Sequence, residues 1–198
     1  MSEGARLREA GIEAPIILLS EPPVESAPAI LQWQLTPSVY TEQMVDALAA
    51  IATTPVPVHL KVDTGMHRVG TSSEHALRLA ARRHAAPGLD LAAVWTHFAV
   101  SEADPDFTRL QIERYEDAVA AIRSAGFEVP LMHSSNTAGA IEFPEARYDL
   151  ARIGIGIYGL QPDRAVGSDL GLRPAMRVIS EVAHVQQHPA GTRPSYGR

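Results

Sequence analysis

Four short stretches of this 198-residue chain concentrate groups able to bind anions or move protons. They are Lys61-Val-Asp63-Thr-Gly-Met-His-Arg68, Thr96-His97, His133-Ser-Ser-Asn136-Thr137 and Arg152-Ile-Gly154-Ile-Gly156. Lys61 is set apart by count. Of 17 basic residues it is the single lysine, so any chemistry that needs a lysine uses that one or goes without. Glycines at 154 and 156 let the backbone approach a ligand closely, and free N–H groups there suit a phosphate. The Thr137 hydroxyl can add a contact to the same phosphate. The same glycine pair also fits a strand end that merely lets a helix pack. Arg68, five residues after Asp63, reads either as a loop-capping ion pair or as a ligand contact. His97 reads either as a satisfied core histidine or as a site group. His59, His67, His75, His84, His133, His184 and His188 show no metal-ligand spacing and read as structural, so no metal site is expected. Arg82-Arg83-His84 reads as a solvated helix end favoured by the helix dipole. The absence of cysteine excludes thiolate and disulfide chemistry.

The elements that would position these residues are visible as short apolar runs at 15–20, 35–40, 58–63, 91–98, 130–136 and 150–158. Each is bounded by Pro, Gly or polar residues, the pattern of strands buried on both faces. Between them lie helical patterns. Thr41 can cap a helix to about Ile51, and Ser73 one to about Ala86, stopped by Pro87-Gly88. The strongest pattern runs from Asp106 to Ala125, with Phe107, Leu110, Tyr115, Ala118, Val119 and Ile122 along one face. Alternation of strand and helix predicts an α/β fold with a parallel sheet. A (β/α)8 barrel needs about 250 residues, so the expectation is a partial TIM-type barrel of about six of eight strands over residues 1–163. Residues 164–171 read as a linker, and 177–186 alternate like one strand of a β-type unit. Residues 164–198 are therefore expected to be a linker and the first part of a C-terminal β-domain. In such folds ligands bind at the C-terminal ends of the strands, where all four polar stretches fall.

Composition narrows the partners. Net charge is −6 and the arginines are scattered, so neither a nucleic-acid nor an anionic-membrane surface is expected. The N-terminus shows no apolar signal region, and no run approaches a membrane span of about 18 residues. A soluble cytoplasmic protein is the default expectation.

Lys61-Val-Asp-Thr-Gly-Met-His-Arg-Val-Gly70, Thr96-His-Phe-Ala99, His133-Ser-Ser-Asn-Thr-Ala138 and Arg152-Ile-Gly-Ile-Gly-Ile-Tyr-Gly-Leu160 resemble, in this order, the alanine racemase family. Leu172-Arg-Pro-Ala-Met176 and Pro194-Ser-Tyr-Gly197 look like its crossing into a C-terminal β-domain. The resemblance implies pyridoxal 5'-phosphate (PLP) as cofactor, a homodimer in the intact protein, and interconversion of L- and D-alanine, a cell-wall precursor. It implies that Arg152 faces the pyridine nitrogen as a donor, and that His97 orients Arg152. Asn136 and Thr137, with the backbone of Gly154 and Ile155, match the cofactor and phosphate site. Arg68 resembles the arginine near the cofactor's phenolic oxygen. Lys61 resembles a lysine that some members carbamylate and pair with that arginine.

The lysine that holds the cofactor covalently in the family ends the first barrel strand, and the second catalytic group is a tyrosine of the C-terminal domain. This chain is expected to contain neither, since Lys61 and Tyr196 match other positions. It therefore reads as an internal fragment, inactive alone, of a racemase. The rival readings are a non-catalytic PLP-carrier barrel, which resembles the chain at Asp-Thr-Gly-Met and Arg-Ile-Gly, and a pseudoenzyme fragment. Carriers are single-domain barrels, and the tail from Leu172 to Gly197 argues against them.

Overall fold

The computed structural model describes residues 1–164, 166, 170–193 and 196. Five strands pair in chain order into one parallel sheet: β1 Ile17–Leu18, β2 Thr36–Val39, β3 Val56–Lys61, β4 Leu89–Trp95 and β5 Leu131–His133. The helices are α1 Ser2–Glu9, α2 Ala27–Gln32, α3 Glu42–Ile51, α4 Ser73–His84, α5 Pro105–Ser124 and α6 Thr137–Glu142. Helix crossovers between sequential parallel strands make this an α/β half-barrel of the TIM type. No helix among the described residues is long and apolar enough to cross a membrane.

Side-chain alternation assigns the two faces of the sheet. Val39, Leu60, Val94 and Met132 share one register row and join the main apolar core with Leu48, Leu79 and Ile122 of the helices. The alternate rows put Ser38, His59 and Ala93, then Lys61, Trp95 and His133, on the opposite face. A register shift at Val58/His59 pairs His59 with Ala93, so one extra β4 residue is absorbed. That bulge lets both Leu91 and Val94 reach the helix-side core while Trp95 still points inward.

The helices start where capping chemistry allows. Thr41 accepts the Met44 N–H at 3.3 Å and Asp104 accepts the Phe107 N–H at 2.9 Å, with Pro105 opening α5. For α4 the cap is Ser72, one residue before the expected Ser73. The buried face of α5 is Thr108, Gln111, Ile112, Tyr115, Ala118, Val119 and Ile122. Phe107 and Leu110 do not belong to it. The first turns of α5 pack under polar loops, and there a threonine and a glutamine satisfy more groups than two apolar side chains would.

The sixth strand expected over 150–158 does not form. Asp149 N–H donates to Met132 O and Arg152 N–H to Ser135 O, so the chain starts along the β5 edge. It leaves that edge at Gly154, whose φ of −97° and ψ of −96° lie outside the strand region, and a 3-10 turn follows at Ile155–Tyr158. Two glycines offer no side chains to hold a strand in place. Residues 177–186 also form no ladder, and Val178, Ile179, Val182 and Val185 are exposed. A strand needs a neighbour for its hydrogen bonds, and none pairs with this segment among the described residues. Positions 165 and 167–169 of the expected linker lie outside the described residues, as does the Pro194-Ser-Tyr-Gly197 stretch apart from Tyr196.

Candidate functional site

The C-terminal ends of β4 and β5 converge on one guanidinium. Arg152 Nη1 lies 2.6 Å from His133 Nδ1. Its Nη2 donates to Thr96 O at 2.7 Å and to Ser134 O at 2.8 Å, and lies 3.2 Å from His97 Nδ1. The Arg152 carbon centre sits 4.4 Å above the Trp95 ring, and Trp95 is fixed by donating to Ser38 Oγ at 3.1 Å. Burial draws the Arg152 pKa down to about 10, which leaves it charged at neutral pH. Its Nε is buried with no partner among the described residues. A buried donor without an acceptor is costly, so this N–H is the group available to a ligand.

Around that charge the histidines are held neutral. Burial, reinforced by Arg152, brings His59 and His97 down to about 4 and His133 to about 2. Burial, with the nearby charges of Arg68 and Arg152, also lowers Lys61 to about 8. Lys61 Nζ donates to Leu19 O at 3.2 Å and lies 4.1 Å above the Trp95 ring. Arg68 is exposed on the loop after β3, close enough for its charge to act on Lys61 and His97. Asp63 does not cap this loop through Arg68. Its Oδ1 accepts the N–H groups of Gly65, Met66 and His67 instead.

The loop closes on itself: Asp63 N–H donates to Thr71 O at 2.8 Å and Thr71 N–H to Lys61 O at 3.0 Å. Gly70 makes this possible, with φ of +131° and the position of an added Cβ only 3.0 Å from Asp63 N. A Gly70→Val chain is expected to lose about 2 kcal/mol, because a β-branched residue is strained there and backbone cannot move aside. The urea midpoint measures it, and an unchanged midpoint would show that the loop reorganises freely. From outside, fully buried Gln111 ties this loop to the next one. Its amide donates to Thr64 Oγ1 and His97 O, and its carbonyl accepts the Ala99 N–H. Tyr115, one turn on, donates to Val94 O at 2.6 Å and accepts the His133 N–H at 3.1 Å, which sets the spacing of β4 and β5.

On the other side of Arg152, Asn136 caps α6, its Oδ1 accepting from Gly139 N–H and Ser101 Oγ, both at 2.8 Å. Thr137 Oγ1 accepts the Gly154 N–H at 3.0 Å, so its own hydroxyl hydrogen is left to donate elsewhere. An added Cβ on Gly156 would come 2.9 Å from Thr137 Cγ2, whereas one on Gly154 would meet nothing within 4 Å. Gly156 is therefore needed for close approach, and Gly154 opens onto free space beside the hydroxyl.

The family profile described as "Alanine racemase, N-terminal domain" matches residues 1–162. The chain belongs to this family. Alanine racemase of Treponema denticola is 37% identical over 100% of this chain and 54% of its own length. That of a Nostoc species is 36% identical over 98% of this chain and 52% of its own length. The solved alanine racemase of Clostridium difficile superimposes with a TM-score of 0.84 at 31% identity, covering 87% of this chain and 47% of that one. The chain thus spans about half the length of the curated relatives it matches.

The alanine racemase family implies PLP, and the residues present fit that group. PLP has a ring nitrogen that accepts a hydrogen bond, and Arg152 Nε–H is a buried donor lacking an acceptor. It has a phosphate, and the Thr137 hydroxyl adjoins the Gly154 backbone where no side chain intrudes. His133, Gln111 and Tyr115 escaped the sequence reading as site-forming residues. The available signal for His133 was its place at the start of the third polar stretch. Gln111 and Tyr115 gave none beyond their spacing on α5.

Proposed function

We propose that this chain carries the PLP-binding half-barrel of an alanine racemase, with residues 1–163 as the barrel part and 164–198 as a linker and the first part of a C-terminal β-domain. For the whole protein we propose interconversion of L- and D-alanine by a cytoplasmic homodimer. The observation that carries this reading is Arg152, whose two terminal nitrogens are engaged by the protein while Nε–H is left for a ligand. The similarity to the Treponema relative over the full chain, tail included, favours a racemase over a single-domain PLP carrier.

Bound PLP supplies an electron sink for an α-carbon that has given up its proton. The chain's own residues set how strong that sink is. Arg152 keeps its proton at neutral pH, so it donates to the ring nitrogen and leaves that nitrogen unprotonated. His97 accepts from Arg152 and orients it. The Thr137 hydroxyl and the Ile155 N–H hold the phosphate, and the Asn136 amide flanks it. The Gly154 N–H, expected from the sequence to be free for the phosphate, is taken by Thr137 Oγ1, so Gly154 contributes only open space. No acid or base for the proton transfer is assigned among these residues. Lys61 is proposed as a carbamylation site: its neutral amine, favoured by the lowered pKa, bonds to the carbon of CO2 and releases one proton. The carbamate anion then faces Arg68.

PLP binding to the unaltered chain, followed by equilibrium dialysis, tests the reading. Retention is expected, with at least tenfold weaker binding for Arg152→Leu on loss of roughly 1.4 kcal/mol or more. Borohydride reduction is expected to leave Lys61 unmodified. Equal binding by both chains, or PLP fixed at Lys61, would refute the assignment.

A further inference from the structure

We infer that His59 is a positioning residue, which acts through His133 to fix the hydrogen-bond polarity that holds Arg152 toward its ligand. The inference rests on the reading of Arg152 given above, and it follows from which atoms can donate. A guanidinium has five N–H groups and no acceptor. With Arg152 Nη1 at 2.6 Å from His133 Nδ1, that nitrogen cannot carry a proton. A neutral imidazole then carries its proton on Nε2. His133 Nε2 lies 3.0 Å from His59 Nδ1, so His59 accepts and carries its own proton on Nε2. The opposite polarity would set an N–H against an N–H at the Arg152 contact.

The surroundings hold this arrangement in place. His59 is 5% exposed and His133 fully buried. Trp95 stacks on the His133 ring at 5.3 Å and 10°, while His59 meets it edge-on at 5.0 Å. The His133 ring cannot turn over without displacing the indole that Ser38 anchors. The charged groups facing the pair are Arg152 and, on the same strand as His59, Lys61. Of the two, Arg152 is the cation that opposes a second proton on either ring. Without His59, the His133 Nε2–H would be a buried donor with no acceptor. The tautomer with its proton on Nδ1 would then gain, with no turn of the ring, and would set an N–H against the guanidinium and push it off its position.

Nitrogen-15 NMR of the histidine rings in the unaltered, PLP-free chain at pH 7 tests this. The expected pattern is an unprotonated Nδ1 and a protonated Nε2 on both His59 and His133. His59→Gln, whose amide oxygen can still accept, is expected to keep the His133 pattern and to hold PLP within about threefold of the unaltered chain. His59→Leu is expected to move the His133 ring signals and weaken PLP binding on the order of tenfold. A proton on His133 Nδ1 in the unaltered chain would overturn the inference, even if the leucine variant does not fold. So would His133 signals that ignore both substitutions. The NMR measurement needs no cofactor. A chain with the expected pattern that binds no PLP would therefore refute the racemase reading and leave the His59–His133 relay standing.

Discussion

Arg152→Leu is expected to lower the stability of the chain by about 3 kcal/mol, the largest effect of any single substitution at the site. Four acceptors depend on this side chain: His133 Nδ1, His97 Nδ1, and the carbonyls of Thr96 and Ser134. Hydrogen bonds to a charged donor contribute about 1.5–3 kcal/mol each in favourable cases. Against this stands the desolvation of the guanidinium, visible in the drop of its pKa to about 10. Exchanging both members of a buried polar pair for apolar groups is often neutral, but leucine here removes one member and leaves its partners buried and unpaired. Those partners belong to the ends of β4 and β5, so the loss reaches the sheet as well as the site. Arg152→Lys is expected to recover less than half of it, because one ammonium cannot span carbonyls on two strand ends as a planar fork does. Urea unfolding of the three chains measures both effects. A loss below about 1 kcal/mol would show that the acceptors find other donors when the arginine is gone.

What the sequence could and could not disclose follows the range of the interactions involved. The positions of β2, β3 and β4, the cap of α3 and the run of α5 are local, set by β-branched runs, by a single hydroxyl side chain and by an apolar face at helical spacing. They appear in the structure within one to three residues of where composition puts them. Arg152, Thr137 and the glycines at 154 and 156 stand out for a related reason, since such residue types at a strand end are hard to explain by packing. The His59–His133 contact spans 74 residues and depends on the bulge between Val58 and His59. No spacing rule contains that register. Gln111 looks like an ordinary polar helix residue until two loops are seen to converge on it. The missing sixth strand failed in the other direction. Residues 150–158 have the apolar alternation of a strand, yet the glycines that suit a phosphate also let the backbone leave the sheet at Gly154.

Acidification from pH 7 to pH 4 is expected to remove roughly 4 kcal/mol of stability, through histidines rather than carboxylates. The sign follows from the direction of the shifts. His59 and His97 fall to about 4 and His133 to about 2, all from an ordinary value of 6.5. Below pH 6.5 the unfolded chain takes up protons that the folded chain refuses, so stability is full above that value and is lost as pH falls toward 4. One fully buried neutral histidine would contribute about 1.4 kcal/mol per pH unit across the window. Three such groups would give more than twice the expected loss. Two considerations reduce it: His97 is only partly buried and is screened by solvent, and His59 and His133 share the field of Arg152, so they do not titrate independently. Lys61 adds nothing in this range, since its depressed value of about 8 means that its proton is bound in both states below pH 7. The urea midpoint followed between pH 7 and pH 4 gives the proton uptake on unfolding directly. A His133→Asn chain, whose amide oxygen can still accept from Arg152, is expected to show a slope smaller by about one proton. Stability that stays flat from pH 6.5 to pH 5 would mean that these rings already carry protons in the folded chain. The Arg152 cluster would then have to be held by a different hydrogen-bond pattern, because a doubly protonated His133 has no lone pair left for the guanidinium.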